Sequence, residues 1–217
     1  MSKQVNKILN KLFPGRPAYK TLIKNKKSFL YSLGWIESKK RNYPCEVDGS
    51  ELPWMNYSII AFLKERLSKN LDIFEFGSGY STIFYSRLVK SVTSVEHDKN
   101  WYELVKEKIP NNVNLIFTEE DTDGKYCRSV LSTKNKYHVI IVDGKDRVNC
   151  LKQSIDALEH NGVILLDDSH RDEYREGFLF LKNLGFKKLN FQGLKPNGNG
   201  SLDYSTLFYK SENVFHL

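Results

Sequence analysis

The chain has 217 residues, two fifths of them apolar, which fits one large domain with a full core and room for an appendage. No stretch approaches the ~18–20 uninterrupted apolar residues of a membrane span, and the start, MSKQVNKILNKLFPG, lacks the apolar core and small-residue cleavage site of a secretory signal. The net charge of +7 is unevenly placed: residues 1–41 hold eleven Lys/Arg and one acid, Glu37, for +10, while the remainder holds 22 bases and 25 acids, for −3, which weakens any reading of the body as a track for a nucleic acid backbone.

Residues 3–13 predict a short amphipathic helix. Val5, Ile8, Leu9, Leu12 and Phe13 follow helical spacing, with Lys3, Lys7 and Lys11 away from that stripe. Pro14-Gly15 stops it. A second basic and apolar segment covers 21–37, and the turn formers of 39–53 read as a linker. Residues 1–50 are therefore expected to form a basic helical arm, and 51–217 the main domain. There the rhythm is helix 54–70, strand 71–76, helix 81–89, strand 91–97, helix 99–109, strand 112–117, strand 137–144, helix 147–161, strand 162–168 and helix 171–185. Strands separated by helix-length segments imply a doubly wound, mostly parallel α/β sheet. The last two strands, 186–194 and 202–210, are joined by KPNGNGS with no room for a helix. Asn-Gly twice in that connector predicts an antiparallel hairpin completing seven strands. Cys45, Cys127 and Cys150 are odd in number and far apart, neither a disulfide framework nor a zinc spacing, so a reducing, cytoplasmic setting is expected.

The first strand ends in a glycine loop, EFGSGYST. A dinucleotide site would place a third glycine or alanine where Thr82 stands. Glu75, two residues before Gly77, predicts a carboxylate at the ligand's edge, which repels a pyrophosphate and suits an ammonium or sulfonium group. EFGSGYS resembles the first motif of class I S-adenosylmethionine-dependent methyltransferases, with Ser81 in the last glycine slot, and SVEHD resembles their second. The resemblance runs from about residue 54 to the end and includes the closing hairpin. It implies that Glu75, Gly77, Ser78, Gly79 and Ser81 hold the donor's methionine end, Glu96 its ribose, and His97 or Asp98 its adenine rim. The acidic run 118–121 is a further neighbour of adenine or a solvated loop.

The ends of the fourth and fifth strands carry Asp143, Lys145, Asp167, Asp168 and His170. Carboxylates brought together repel and ask for a cation, and Mg²⁺ suits a few carboxylates plus waters. In this acid pattern the chain is similar to metal-dependent O-methyltransferases, the sugar-modifying type above all. That similarity implies Mg²⁺ on Asp143, Asp167 and Asp168, and a metal-bound acceptor hydroxyl deprotonated by His170 or Lys145. The plainer readings put Asp143 on the donor's amino-acid end and Asp167 and Asp168 at a helix N-terminus. Asp143-Gly144-Lys145-Asp146 lacks the proline pair that goes with methylation of nucleobase amines, which favours an oxygen acceptor on a sugar, glycan or other small molecule. Trp54, Tyr57, Tyr80 and Trp101 offer a stacking platform or belong to the core. The arm reads as a lid over the site, a contact to anionic lipid, a holder of a polyanion, or a homodimer contact. Two rival functions stay open: an RNA methyltransferase gripping the backbone through the arm, and a donor-binding module without catalysis.

Overall fold

The computed structural model describes residues 3–217. Seven strands form one sheet in the order β3-β2-β1-β4-β5-β7-β6. The strands are β1 (Asp72–Phe76), β2 (Ser91–Glu96), β3 (Val113–Phe117), β4 (Tyr137–Val142), β5 (Leu158–Asp167), β6 (Lys187–Gly193) and β7 (Asp203–Tyr209). The first five run parallel, and β7 is antiparallel to both β5 and β6. The predicted doubly wound sheet with a closing hairpin is what the chain forms.

Side-chain alternation divides the core. Ile73, Val139, Ile141, Val163 and Leu165 face one layer, which includes α5 (Tyr57–Arg66) and α6 (Tyr80–Leu88). Phe74, Ile140, Val142, Ile164 and Leu166 face the other, which includes α9 (Arg147–Ala157) and α10 (Arg175–Asn183). A central strand buried on both faces has no polar position to give up, which is why residues 139–142 of β4 and 163–166 of β5 are continuous apolar runs.

Two elements differ from expectation. A helix, α8 (Lys125–Ser132), fills the connection between β3 and β4 where none was assigned. Its buried residues are Tyr126, Cys127, Ser129 and Val130, at helical spacing but over barely two turns. Strand β5 starts at Leu158, four residues before the expected Gly162. The pairing Tyr137↔Leu158 gives way to Val139↔Val163, an irregularity that absorbs the extra residues. The remaining helix of the wound domain, α7 (Lys99–Lys106), is capped by Asp98, which accepts from the Trp101 N–H. All three cysteines are buried and free.

The arm comprises α1 (Lys3–Leu12), α2 (Arg16–Tyr19), a π turn (Lys20–Lys24), α3 (Phe29–Ser32) and α4 (Trp35–Arg41). Its second part folds onto the body. Leu33 and Trp35 pack against the first core layer. Gly34, at φ +80, lets the backbone of Cys45 and Glu46 approach where a side chain would collide. Buried Ser38 donates to the Cys45 carbonyl and accepts from the Cys45 N–H, both at 2.9 Å. No helix among the described residues is long and apolar enough to cross a membrane.

Candidate active site

The C-terminal ends of the parallel strands open into two neighbouring cavities that share Trp54 in their linings. The first, about 570 Å³, is lined by the glycine loop, Glu96, His97, Trp101, Asp143 and Lys145. The second, about 590 Å³, is lined by Asp168, His170, Lys195, Asp203 and Lys39. Of the sequence-predicted residues, Gly77, Ser78, Gly79, Ser81, Glu96, His97, Asp143 and Lys145 thus meet in the first cavity, and Asp168 and His170 in the second.

The loop is built for close approach. Gly77 sits at φ +91, and a Cβ there would lie 3.0 Å from the Gly144 backbone. The loops after β1 and β4 therefore touch main chain to main chain, which only glycine permits. Glu96, at the end of β2, holds the loop from the side. Its Oε2 accepts from the Ser78 N–H (2.9 Å) and Oγ (3.2 Å), and its Oε1 from the His97 and Asp98 N–H groups (2.9 Å each). Trp101 Nε1 donates to the Ser78 carbonyl at 2.8 Å and closes the loop from α7. His97 Nδ1 stands 3.0 Å from Glu96 Oε1 without a hydrogen bond between them.

The position of Glu75 is a correction. Its carboxylate does not lie at the cavity's edge but is fully buried beneath the loop. There it accepts hydroxyls from Ser81 (2.5 Å), Thr82 (2.5 Å) and Ser94 (2.8 Å). Burial pushes its pKa up to about 7, against the pull of those three donors. Thr82 Oγ1 also accepts the Gly79 N–H at 2.9 Å, so the residue at the third glycine position ties the loop to the strand below it.

The acid cluster is a second correction. Asp143 does not join Asp167 and Asp168. It pairs with Arg147 Nη2 at 3.1 Å, and the same guanidinium donates to the Asp167 and Gly144 carbonyls. Burial raises Asp143 to about 6, with Arg147 opposing the rise. Among the described residues, the carboxylates that converge are Asp167, Asp168 and Asp203, each with an oxygen within 4.8 Å of the others. Asp203, on β7, carried no sequence signal of its own. Neither did Lys195, whose ammonium stands 2.8 Å from Asp203 Oδ1 and 3.4 Å from Asp168 Oδ1. Burial works against the charge of Lys195, but the three carboxylates outweigh it and raise its pKa. Asp168 is also paired with Arg171 at 2.6 Å. Buried Asp167 lines neither cavity. It ends a relay in which Asn56 Nδ2, from the cap of α5, donates to Ser205 Oγ (2.9 Å), which donates to Asp167 Oδ1 (2.6 Å). This donor set does not fit Mg²⁺, because its cation is already supplied by Lys195 and two arginines.

The remaining residues fall into place simply. Lys145 lies 3.6 Å from Glu120. His170 is exposed and rests against Tyr204, ring centroids 5.1 Å apart. Of the aromatic platform, Tyr57 is core, Tyr80 is sandwiched between Tyr43 and Trp101, and Trp54 is exposed between the two cavities.

No family model and no curated protein matches the chain. Solved structures do. A methyltransferase from Pyrococcus furiosus matches with TM-score 0.53 and 19% identity over 91% of this chain and 99% of that one. A precorrin-6y C5,15-methyltransferase from Geobacter metallireducens GS-15 matches with TM-score 0.55 and 15% identity over 80% and 96%. An rRNA methylase from Streptococcus thermophilus matches with TM-score 0.51 and 18% identity over 70% and 96%. With the strand order and the antiparallel β7, these likenesses establish the Rossmann-like methyltransferase fold.

Proposed function

We propose that the protein is an S-adenosylmethionine-dependent methyltransferase acting on a hydroxyl of a sugar, glycan or other small molecule. The observation that carries this reading is the first cavity. A glycine loop with Gly77 pressed against Gly144 is held by Glu96, and the two cations in the lining, Lys145 and Arg147, already have carboxylate partners. A pyrophosphate would find no free positive charge there, whereas a sulfonium donor needs none.

S-adenosylmethionine, when bound, supplies a methyl group made electrophilic by its sulfonium. Gly77, Ser78, Gly79 and Ser81 are the residues to hold its methionine end, Glu96 its ribose and His97 its adenine rim. Asp143 faces the same cavity as a partner for its ammonium. Glu75 acts from below, by fixing Ser81 and Thr82. On the acceptor side the second cavity orients the substrate hydroxyl between Trp54 and the Lys195–Asp203 pair, and His170 takes its proton. Lys195, Arg147 and Arg171 pair with the carboxylates around these cavities.

The test is calorimetric titration with S-adenosylmethionine, S-adenosylhomocysteine and NAD on the wild type and Glu96→Ala. Micromolar binding of donor and product, lost in the variant and absent for NAD, supports the reading and opens an acceptor screen that starts with sugars. Absence of donor binding, or binding of NAD instead, overturns it.

A further inference from the structure

The two parts of the arm are unlike. From Leu33 onward it packs on the body, and α4 reaches the cavity rim, where Lys39 Nζ donates to the Asn197 carbonyl at 3.3 Å. Residues 3–32 pack in chain order, α1 on α2, α2 on the π turn and the π turn on α3, and α3 in turn packs on α4. Large apolar side chains stay in water there, among them Ile8, Leu12, Phe13, Leu22 and Phe29; Leu12 is 66% exposed and Phe29 63%. In α1 the helical spacing puts Ile8, Leu9, Leu12 and Phe13 on one side and Lys7 and Lys11 on the other. The same residues 3–32 hold eight Lys/Arg and no acid.

An occupant must match both the apolar stripe and the charge. A second arm would bring two equally basic segments face to face and repel. A nucleic acid would take the lysines but leave the aliphatic side chains of Ile8, Leu12 and Leu22 exposed. An anionic bilayer satisfies both at once. The apolar side chains enter the boundary between headgroups and acyl chains, and the lysines stay among the acidic headgroups. We propose that residues 3–32 bind the surface of an anionic lipid bilayer and hold the protein there.

The experiment uses the full chain and sedimentation with vesicles of phosphatidylcholine alone or with about 30% phosphatidylglycerol. Two variants accompany it, Leu12→Glu/Phe13→Glu and Lys24→Glu/Lys26→Glu/Lys27→Glu, both on exposed positions and checked for an unchanged melting temperature. The expected result is binding about tenfold or more tighter to the anionic vesicles, weakened at least about tenfold by either variant and by raising salt to about 0.5 M. Equal affinity for both vesicles, or none, overturns the proposal. So does a wild-type dimer by light scattering that Leu12→Glu/Phe13→Glu splits, which makes the occupant a second copy. Binding to single-stranded RNA that survives Leu12→Glu/Phe13→Glu and exceeds binding to vesicles overturns it as well. None of these readouts depends on methyl transfer.

Discussion

Lys195 sets its ammonium 2.8 Å from Asp203 Oδ1, and with that contact a lysine from the hairpin connector becomes the cation of a carboxylate cluster that looks, from its acids alone, like a metal site. Lys195→Met leaves Asp167, Asp168 and Asp203 short of a counter-charge. A loss of about 2–4 kcal/mol is expected, because breaking a buried pair costs more than the pair contributes. Millimolar Mn²⁺ or Mg²⁺ should then raise the melting temperature of the variant and leave the wild type unmoved. Tight Mg²⁺ binding by the wild type in calorimetry would show that the lysine yields to the ion.

Glu75 predicts a direction for stability against pH. Its pKa is about 7 in the fold against an ordinary 4.5, with burial the main cause. Between those values the folded chain keeps a proton that the unfolded chain has released. Stability is therefore highest near and below pH 4.5 as far as this group is concerned, falls as pH rises toward 7, and levels off above. The contribution is about 3 kcal/mol. Asp143, raised to about 6, acts in the same direction over a narrower window. Urea midpoints at pH 5 and pH 8 should differ in the wild type, and Glu75→Gln should narrow the gap. A gap of unchanged size would mean that Glu75 stays ionised in its hydroxyl cage.

These two groups show how far the sequence could be read. Strand positions and the glycine loop after β1 were legible, because apolar runs bounded by Gly77, Gly79 and the acids at strand ends are local signals. The final hairpin was legible from its double Asn-Gly. Lys195 and Asp203 were not, because a lysine in a turn and an aspartate at a strand start look like solvated residues until β7 inserts beside β5. The orientation of Glu75 was hidden for a related reason. Side chains alternate along a strand, and only the neighbouring Ser94 on β2 and the hydroxyls of α6 reveal that this carboxylate points under the loop. Helix α8 was missed because its eight residues give barely two turns of pattern, and its buried face rests on Tyr126, Cys127 and Val130 alone among apolar side chains.

Gly77 separates conformational strain from close approach. Gly77→Ala meets both a φ of +91 and a Cβ 3.0 Å from the Gly144 main chain, which cannot give way as a side chain can. Gly185→Ala meets a similar φ, +82, with open space around it. The second should cost about 1 kcal/mol and the first about 2–4 kcal/mol. Equal losses in chemical denaturation would show that the loop after β4 can retreat. If the first cavity holds the methyl donor, Gly77→Ala should also weaken donor binding while Gly185→Ala leaves it intact.

The two candidate bases can be told apart by what each already touches. Lys145 stands 3.6 Å from Glu120 at the edge of the first cavity, so its charge serves that loop. His170 lines the second cavity with the ring of Tyr204 against it, and it is the residue proposed to take the hydroxyl proton. With an acceptor in hand from the screen, His170→Ala should lower kcat by about 10²–10⁴-fold and leave calorimetric donor affinity unchanged. Lys145→Ala should change kcat by less than about threefold, since an exposed pair of this kind contributes little. The opposite ranking would move the proton acceptor to the donor side of Trp54. Equal, small effects would mean that the hydroxyl loses its proton to water, and that the second cavity works by orientation alone.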